Sequence, residues 1–190
     1  MEDKKDRILR AAEVLFARFG IRKTTMDEIA RDARMGKSTL YYYFKSKEAV
    51  FEAVIRKDSR LYQSRLSDAV DRAGSSREKL RNYMRARMKH LRELKNYYST
   101  MTDEYLENFD FVEKARRDFD TYENRALASL LKEGRERGDF TMADVEATTR
   151  NFAIVLKGLE YFLLIRNRGK DIGKVCDQML TTLFEGIAKR

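Results

Sequence analysis

The sequence predicts an all-α protein, with three short helices at the amino end followed by a larger helical domain. Apolar residues recur at helical spacing along most of the chain, no stretch reads as a strand or an internal repeat, and the 190 residues include no proline. Helix ends must therefore be set by glycine and by Ser, Thr and Asp caps. We place the domain boundary at the start of the fourth helix, giving a head of residues 1–48 and a helical domain of residues 49–190.

The first helix is expected from near Lys4 to Phe19, burying Ile8, Ala11, Ala12, Leu15, Phe16 and Phe19, with Gly20 as its left-handed stop. Thr25 stands three residues before Glu28, the spacing of a capping box, so a second helix begins at Met26. Met26, Ile29, Ala30 and Ala33 then form one buried stripe, and Asp27, Glu28, Arg31 and Asp32 face solvent. Gly36 falls where a sharp turn needs a residue without Cβ strain and can also cap the next helix, Lys37 to Phe44. Leu40 and Phe44 pack inward there, turning Lys37, Ser38, Tyr41, Tyr42 and Tyr43 outward. Ser46 caps a fourth helix that starts at Lys47 and runs to about Ala73 through Ala49, Val50, Ala53, Val54, Leu61 and Val70.

Gly74-Ser75-Ser76 ends that helix, and Ser75 with Glu78 makes a second capping box. The following helix places Leu80, Tyr83, Met84, Met88, Leu91 and Leu94 on one face. Asp110 with Glu113 can cap another long helix, which carries Val112, Ala115, Phe119, Tyr122, Ala126, Leu130 and Leu131 and ends at Gly138. Asp139 to Thr141 is a turn. Helices from about Ala143 to Asn167 and from about Ile172 to Ala188 complete the chain, the last with Ile172, Val175, Met179, Leu183 and Ile187 on a wide apolar face.

Two helices joined by a short glycine-bearing turn, the second with basic and hydrogen-bonding residues on its free face, form a helix-turn-helix. The start of the fourth helix adds backbone N–H groups, a favourable dipole end and the Lys47 ammonium, which together suit a phosphate. From Arg7 to Ala53 the stretch RILRAAEVLFARFGIRKTTMDEIARDARMGKSTLYYYFKSKEAVFEA closely resembles the DNA-binding domain of the TetR (tetracycline repressor) family of bacterial transcription regulators. It has the entry helix ending in phenylalanine-glycine, the T-x-x-x-I-A segment, the T-L-Y-x-Y-F helix and the F-x-x-K-E step. Two positions depart: the family usually has serine where Gly36 stands and glycine where Ser38 stands.

The resemblance implies a two-domain, all-helical homodimer joined through a four-helix bundle of the last two major helices. It implies a double-stranded, palindromic or pseudo-palindromic operator as DNA partner. Groove or base-edge contacts would come from Lys37, Ser38 and Tyr42, and phosphate contacts from Thr25, Tyr41, Tyr43 and Lys47. Two copies making some 6 to 10 phosphate contacts would lose about a thousand-fold or more in affinity between 50 and 200 mM salt. The alternative for Tyr41 and Tyr43 is packing beside Leu40 and Phe44. For the last two helices the alternative is closure of a monomer core.

The resemblance also implies a small-molecule effector in the second domain. Met84, Met88, Leu91, Tyr98, Met101, Tyr105, Phe109, Phe119, Tyr122, Phe152 and Tyr161 are compatible with a mainly apolar ligand of modest size, such as an acyl chain. Ordinary core packing is the competing reading for each of them. The function expected is that of a repressor released from its operator by such a ligand. The alternative is a ligand-independent, non-specific DNA-binding or nucleoid-type helical dimer.

Charge agrees with a DNA partner: the net charge is +9, and residues 1–48 hold 12 Lys and Arg against 8 Asp and Glu. The chain opens Met-Glu-Asp-Lys-Lys-Asp, without the apolar core of a signal peptide, which places the expectation in the cytoplasm. Its most apolar segment, Asn151 to Ile165, is broken by Lys157 and Glu160, so no membrane span is expected. Gly36-Lys37-Ser38-Thr39 resembles the end of a phosphate-binding loop, but Arg31 stands where that loop needs glycine and no strand precedes it. Cys176 reads as a small buried hydrophobe and the single His90 as a partly exposed helix residue. Asp103, Glu104 and Glu107 read as a solvated acidic face. No enzyme, metal site or cofactor is expected.

Overall fold

The computed structural model describes residues 3–93, 109–161 and 172–186. Among these the structure is helical throughout: α1 (Lys4–Lys23), α2 (Met26–Asp32), α3 (Lys37–Tyr43), α4 (Lys47–Asp71), α5 (Ser76–Glu93), α6 (Phe109–Glu136), α7 (Val145–Tyr161) and α8 (Ile172–Glu185). Two compact units are present, among the described residues 3–60 with 109–119 and 61–93 with 120–161 and 172–186, so that α4 and α6 each contribute to both.

In the first unit, α1 to α3 and the start of α4 share one core. Ile8, Ala12, Leu15 and Phe16 of α1 close on Ile29 and Ala30 of α2, Leu40 of α3, and Val50, Phe51 and Val54 of α4. The Phe16 and Phe51 rings meet edge to face at 5.6 Å. The expected burial of Phe19 fails, since it is 43% exposed. Gly20 does take a positive φ of 78°, but its ψ of 165° is not left-handed helical, and one further turn, Ile21–Lys23, follows. That extra turn buries Ile21 in place of Phe19.

The turn between α2 and α3 also differs from expectation. Gly36 has an ordinary extended backbone (φ −66°, ψ 145°) and serves as the N-cap of α3. The left-handed residue is Arg34, at φ 52°. Arg34 N donates to Arg31 O (3.0 Å) and Met35 N to Ala30 O (2.9 Å), a Schellman arrangement that satisfies the last carbonyls of α2. From α1, Arg7 Nη2 donates to Ala33 O at 2.7 Å, adding a cation at the negative end of the same helix.

In the second unit α8 packs on α5, tied by Arg85 to Asp177. Lys79 joins α5 to Glu133 of α6, and Lys157 joins α7 to Asp120 of α6. The Ser75–Glu78 capping box forms as expected, and Asp144 caps α7 through Glu146 N and Ala147 N. Leu80, Tyr83, Met84 and Met88 are buried, and so is Cys176. Leu61 is half-exposed where burial was expected, because Tyr62 and Leu66 of α4 take the inward positions.

His90 is also a correction: it is buried, with its ring 4.6 Å from that of Tyr62. No helix among the described residues is long and apolar enough to cross a membrane. The acidic triplet Asp103, Glu104 and Glu107, and the expected Asp110–Glu113 cap, lie outside the described side chains.

Candidate nucleic-acid interface

Local chemistry sets up the outer face of the head. Thr25 accepts from Glu28 N at 3.2 Å, and Glu28 Oε2 accepts from Thr25 N at 2.8 Å, so the predicted capping box starts α2 at Met26. The Thr25 hydroxyl also donates to Glu28 Oε2 at 2.8 Å, and these bonds hold the Glu28 carboxyl below its usual range. Ser46 caps α4 through Ala49 N at 3.2 Å.

Helix α3 has a single fully buried side chain, Leu40, with Phe44 buried at its C-cap. Its other side is left to solvent: Lys37, Ser38, Tyr41 and Tyr42 are exposed, Tyr42 at 78%. Tyr43 is half-buried against the head core and meets Tyr42 edge to face at 5.3 Å. The two readings of the tyrosines thus divide by position. Tyr43 packs, while Tyr41 and Tyr42 stand outward.

Two charges on this face have partners that sequence spacing did not reveal. Lys37 Nζ lies 2.8 Å from Asp27 Oδ1 of α2, and that carboxylate raises the lysine pKa. Lys47 Nζ donates to Arg22 O at 3.1 Å, which fixes its ammonium beside the end of α1. Asp27 stands ten residues from Lys37, across the turn, so a reading confined to helical neighbours assigns it to plain solvent.

The second unit carries a cavity of about 750 Å³ bordered by α5, α6 and α7. Tyr83, Leu127, Ala128, Ala153 and Leu156 give it a largely carbon surface. Each acid on its wall holds a base: Asp120 with Lys157 at 2.9 Å, Glu146 with Arg150 at 2.7 Å and Glu123 with Arg87 at 2.8 Å. The Arg87–Glu123 pair is buried, and Tyr62 donates to the same Glu123 oxygen at 2.6 Å. Burial first, and then the Glu123 charge, push the Tyr62 phenol far above its ordinary pKa.

Of the expected effector residues, Met84, Met88, Phe119 and Phe152 are buried. Tyr122 is half-buried, donating to Gln63 O at 3.3 Å. None of these five lines this cavity. Leu91, Tyr98, Met101, Tyr105, Phe109 and Tyr161 lie outside the described side chains. Sequence reasoning missed Arg87 and Glu123, although both sit inside apolar stripes: Arg87 is seven residues after Leu80, and Glu123 is four after Phe119. A charged residue in such a register is the signal that would have found them.

Comparison with known proteins agrees with this head. A sequence model described as "Bacterial regulatory proteins, tetR family" matches residues 8–54. The HTH-type transcriptional regulator QacR of Staphylococcus aureus is 27% identical over 187 residues, 97% of this chain and 98% of that protein. The HTH-type transcriptional repressor KstR2 of Mycolicibacterium smegmatis is 30% identical over 142 residues, 72% of this chain and 67% of its own. The solved structure of the fatty acid degradation regulator FadR from Bacillus halodurans has a TM-score of 0.82 at 21% identity, covering 100% of this chain and 99% of that one, a likeness of fold alone. With an all-helical structure and a helix-turn-helix at the matched residues, this chain belongs to the TetR family of bacterial transcription regulators, which bind DNA and are not enzymes.

Proposed function

We propose that the chain is a sequence-specific, operator-binding repressor that acts as a homodimer and leaves DNA when a small, mainly apolar molecule binds its second unit. The observation that carries the DNA reading is α3, a two-turn helix that turns Lys37, Ser38, Tyr41 and Tyr42 to solvent. Residues 1–48 form the reading head in this proposal, and residues 49–190 bind the effector and dimerise.

Lys37, Ser38 and Tyr42 approach base edges in the major groove, where an ammonium can donate to guanine acceptors. Thr25, Tyr41 and Lys47 hold phosphates and set the register, and Tyr43 supports them by packing on the head core. Lys37 must exchange Asp27 for DNA on binding. That exchange costs little, since both side chains are exposed and solvent screens their attraction.

The effector reading is supported by the cavity between α5, α6 and α7. Its walls are mostly carbon and its acids are already paired, which leaves Arg125 as the base among its described lining residues that stands outside those pairs. Ligand-driven release requires a higher affinity for the state whose two heads no longer match successive major grooves.

The test is fluorescence anisotropy on the duplex upstream of the coding region, against scrambled competitor and across a salt series. Tight binding that survives competitor, with two chains or a multiple of two per duplex, is expected. Lys37→Ala and Tyr42→Ala should each weaken it by about 1–3 kcal/mol while sparing binding to the scrambled duplex. If a genome-wide selection of bound fragments also yields no preferred sequence, the specific reading fails and the non-specific coating protein takes its place. Acyl chains and other apolar probes that leave operator affinity unchanged would remove the ligand-release half of the proposal.

A further inference from the structure

A second concave site lies between α4 and α5, a groove of about 580 Å³ in the size range of small-ligand sites. Arg65 on α4 and Arg72 in the turn that follows it line the groove together with Arg85 and Lys89, one turn apart on α5. Ala69 and Ala86 are the small residues of its walls, and Asn82 Nδ2 donates across it to Ala69 O at 3.0 Å, fastening one wall to the other. Among the described residues that line this groove, none is acidic.

That charge pattern is the opposite of the α5–α6–α7 cavity, where every acid holds a base. Arg85 is held from one side by Asp177, through Nε at 3.1 Å and Nη2 at 2.7 Å. A guanidinium has five N–H donors, so this grip orients Arg85 and leaves donors for another acceptor. Arg72 and Lys89 form no ion pair among the described residues. Bringing like charges together on facing walls is unfavourable unless an anion sits between them.

We propose that the α4–α5 groove is a binding site for a small molecule bearing a diphosphate or comparable polyanionic group. Two guanidinium-bearing walls supply planar, forked donors that match phosphate oxygens, and Lys89 adds a point charge. A DNA duplex is the competing occupant, but its cylindrical surface suits a ridge or flat face better than a cleft between two helices.

The experiment is calorimetric titration of the full chain with inorganic pyrophosphate, alongside thermal unfolding in pyrophosphate and in sodium chloride of matched ionic strength. We expect saturable one-to-one binding per chain and a rise in Tm that chloride does not reproduce. The exposed double variant Arg72→Ala/Lys89→Ala should weaken pyrophosphate binding about ten-fold or more, and Lys89→Arg should largely keep it. An equal Tm rise in chloride, or unchanged pyrophosphate affinity in a double variant that folds with the wild-type helical signal, would overturn the site. If pyrophosphate fails to bind the wild type and the double variant instead loses duplex affinity, the groove is a DNA phosphate contact and the proposal is wrong. Pyrophosphate binding is read without DNA, so failure here leaves the operator reading standing, and failure of that reading leaves this one.

Discussion

Asp58 is a residue whose setting works against the folded head. It lies on α4 among groups that desolvate it. Its Oδ2 is buried without a hydrogen-bond partner among the described residues, and the Glu13 carboxylate faces it from α1. Burial, and then Glu13, push the Asp58 carboxyl up to about 7, with Lys57 opposing only in part; the Lys57 ammonium also lies 3.9 Å from Asp6. A carboxyl with a raised folded-state pKa binds more protons folded than unfolded, so stability falls as pH rises from about 4 to about 7. Above that window the folded state carries the whole penalty, up to about 4 kcal/mol for a shift of this size. Asp58→Asn should therefore stabilise the protein by roughly 1–3 kcal/mol at pH 8 and by less than about half as much at pH 5, inside that window. Urea unfolding at both pH values checks this, and an equal gain at each would mean that Asp58 does not titrate in this range. The Arg87–Glu123–Tyr62 set of the second unit shows the opposite solution, in which buried charge is held by a partner and a donor at 2.8 and 2.6 Å.

Helix ends show where local sequence is informative. Capping boxes at Thr25–Glu28 and Ser75–Glu78 are read directly because donor and acceptor lie three residues apart. The C-terminus of α6 follows the same logic, with Gly138 at φ 77°, Gly138 N donating to Arg135 O and Asp139 N to Gly134 O. Helix α2 uses the same hydrogen-bond pattern with Arg34 in the glycine position, so the left-handed residue of the turn is invisible to a search for glycine, which points to Gly36 instead. Arg7 compounds the difficulty, since its bond to Ala33 O spans 26 residues. Arg34→Gly should relieve the left-handed strain and stabilise the head by about 0.5–1 kcal/mol, provided that Arg7 keeps its carbonyls. No gain in thermal unfolding would mean that the Arg34 side chain contributes as much as its backbone costs. Gly134 has the reverse constraint, because a Cβ there would fall inside the ring of Phe140, which stacks on Phe184 of α8 at 5.7 Å. Gly134→Ala should cost about 1–3 kcal/mol, and a neutral Tm would show that the Phe140 ring moves away freely. The head was therefore legible wherever its contacts are local. Lys37–Asp27, Arg87–Glu123 and the Tyr62–His90 stack were not, because each joins residues that meet only after the chain has folded.

At the scale of the whole molecule, the proposed dimer makes a demand that the single chain leaves open. A helix-turn-helix head reads two half-sites only when two copies are held in register, and a net charge of +9 makes every chain repel its copy at low salt. The seam must therefore supply apolar surface. Helices α7 and α8 offer it: Ile154 is 69%, Val155 48% and Leu183 49% exposed in the single chain. Scattered exposed apolar residues are ordinary on a protein surface, so exposure alone does not decide the matter. Ile154 also borders the α5–α6–α7 cavity, and changing it would confound dimerisation with effector binding. Val155 and Leu183 do not line that cavity and make the cleaner probe. Val155→Asp/Leu183→Asp should convert the dimer to a monomer in sedimentation equilibrium, because a carboxylate buried at the seam must be stripped of water without a partner. Operator affinity should fall with it, while the cooperative unfolding of the first unit stays near wild type. A variant that remains dimeric with unchanged operator binding would remove these side chains from the seam, and the last two helices would then serve as the cover of a monomer core.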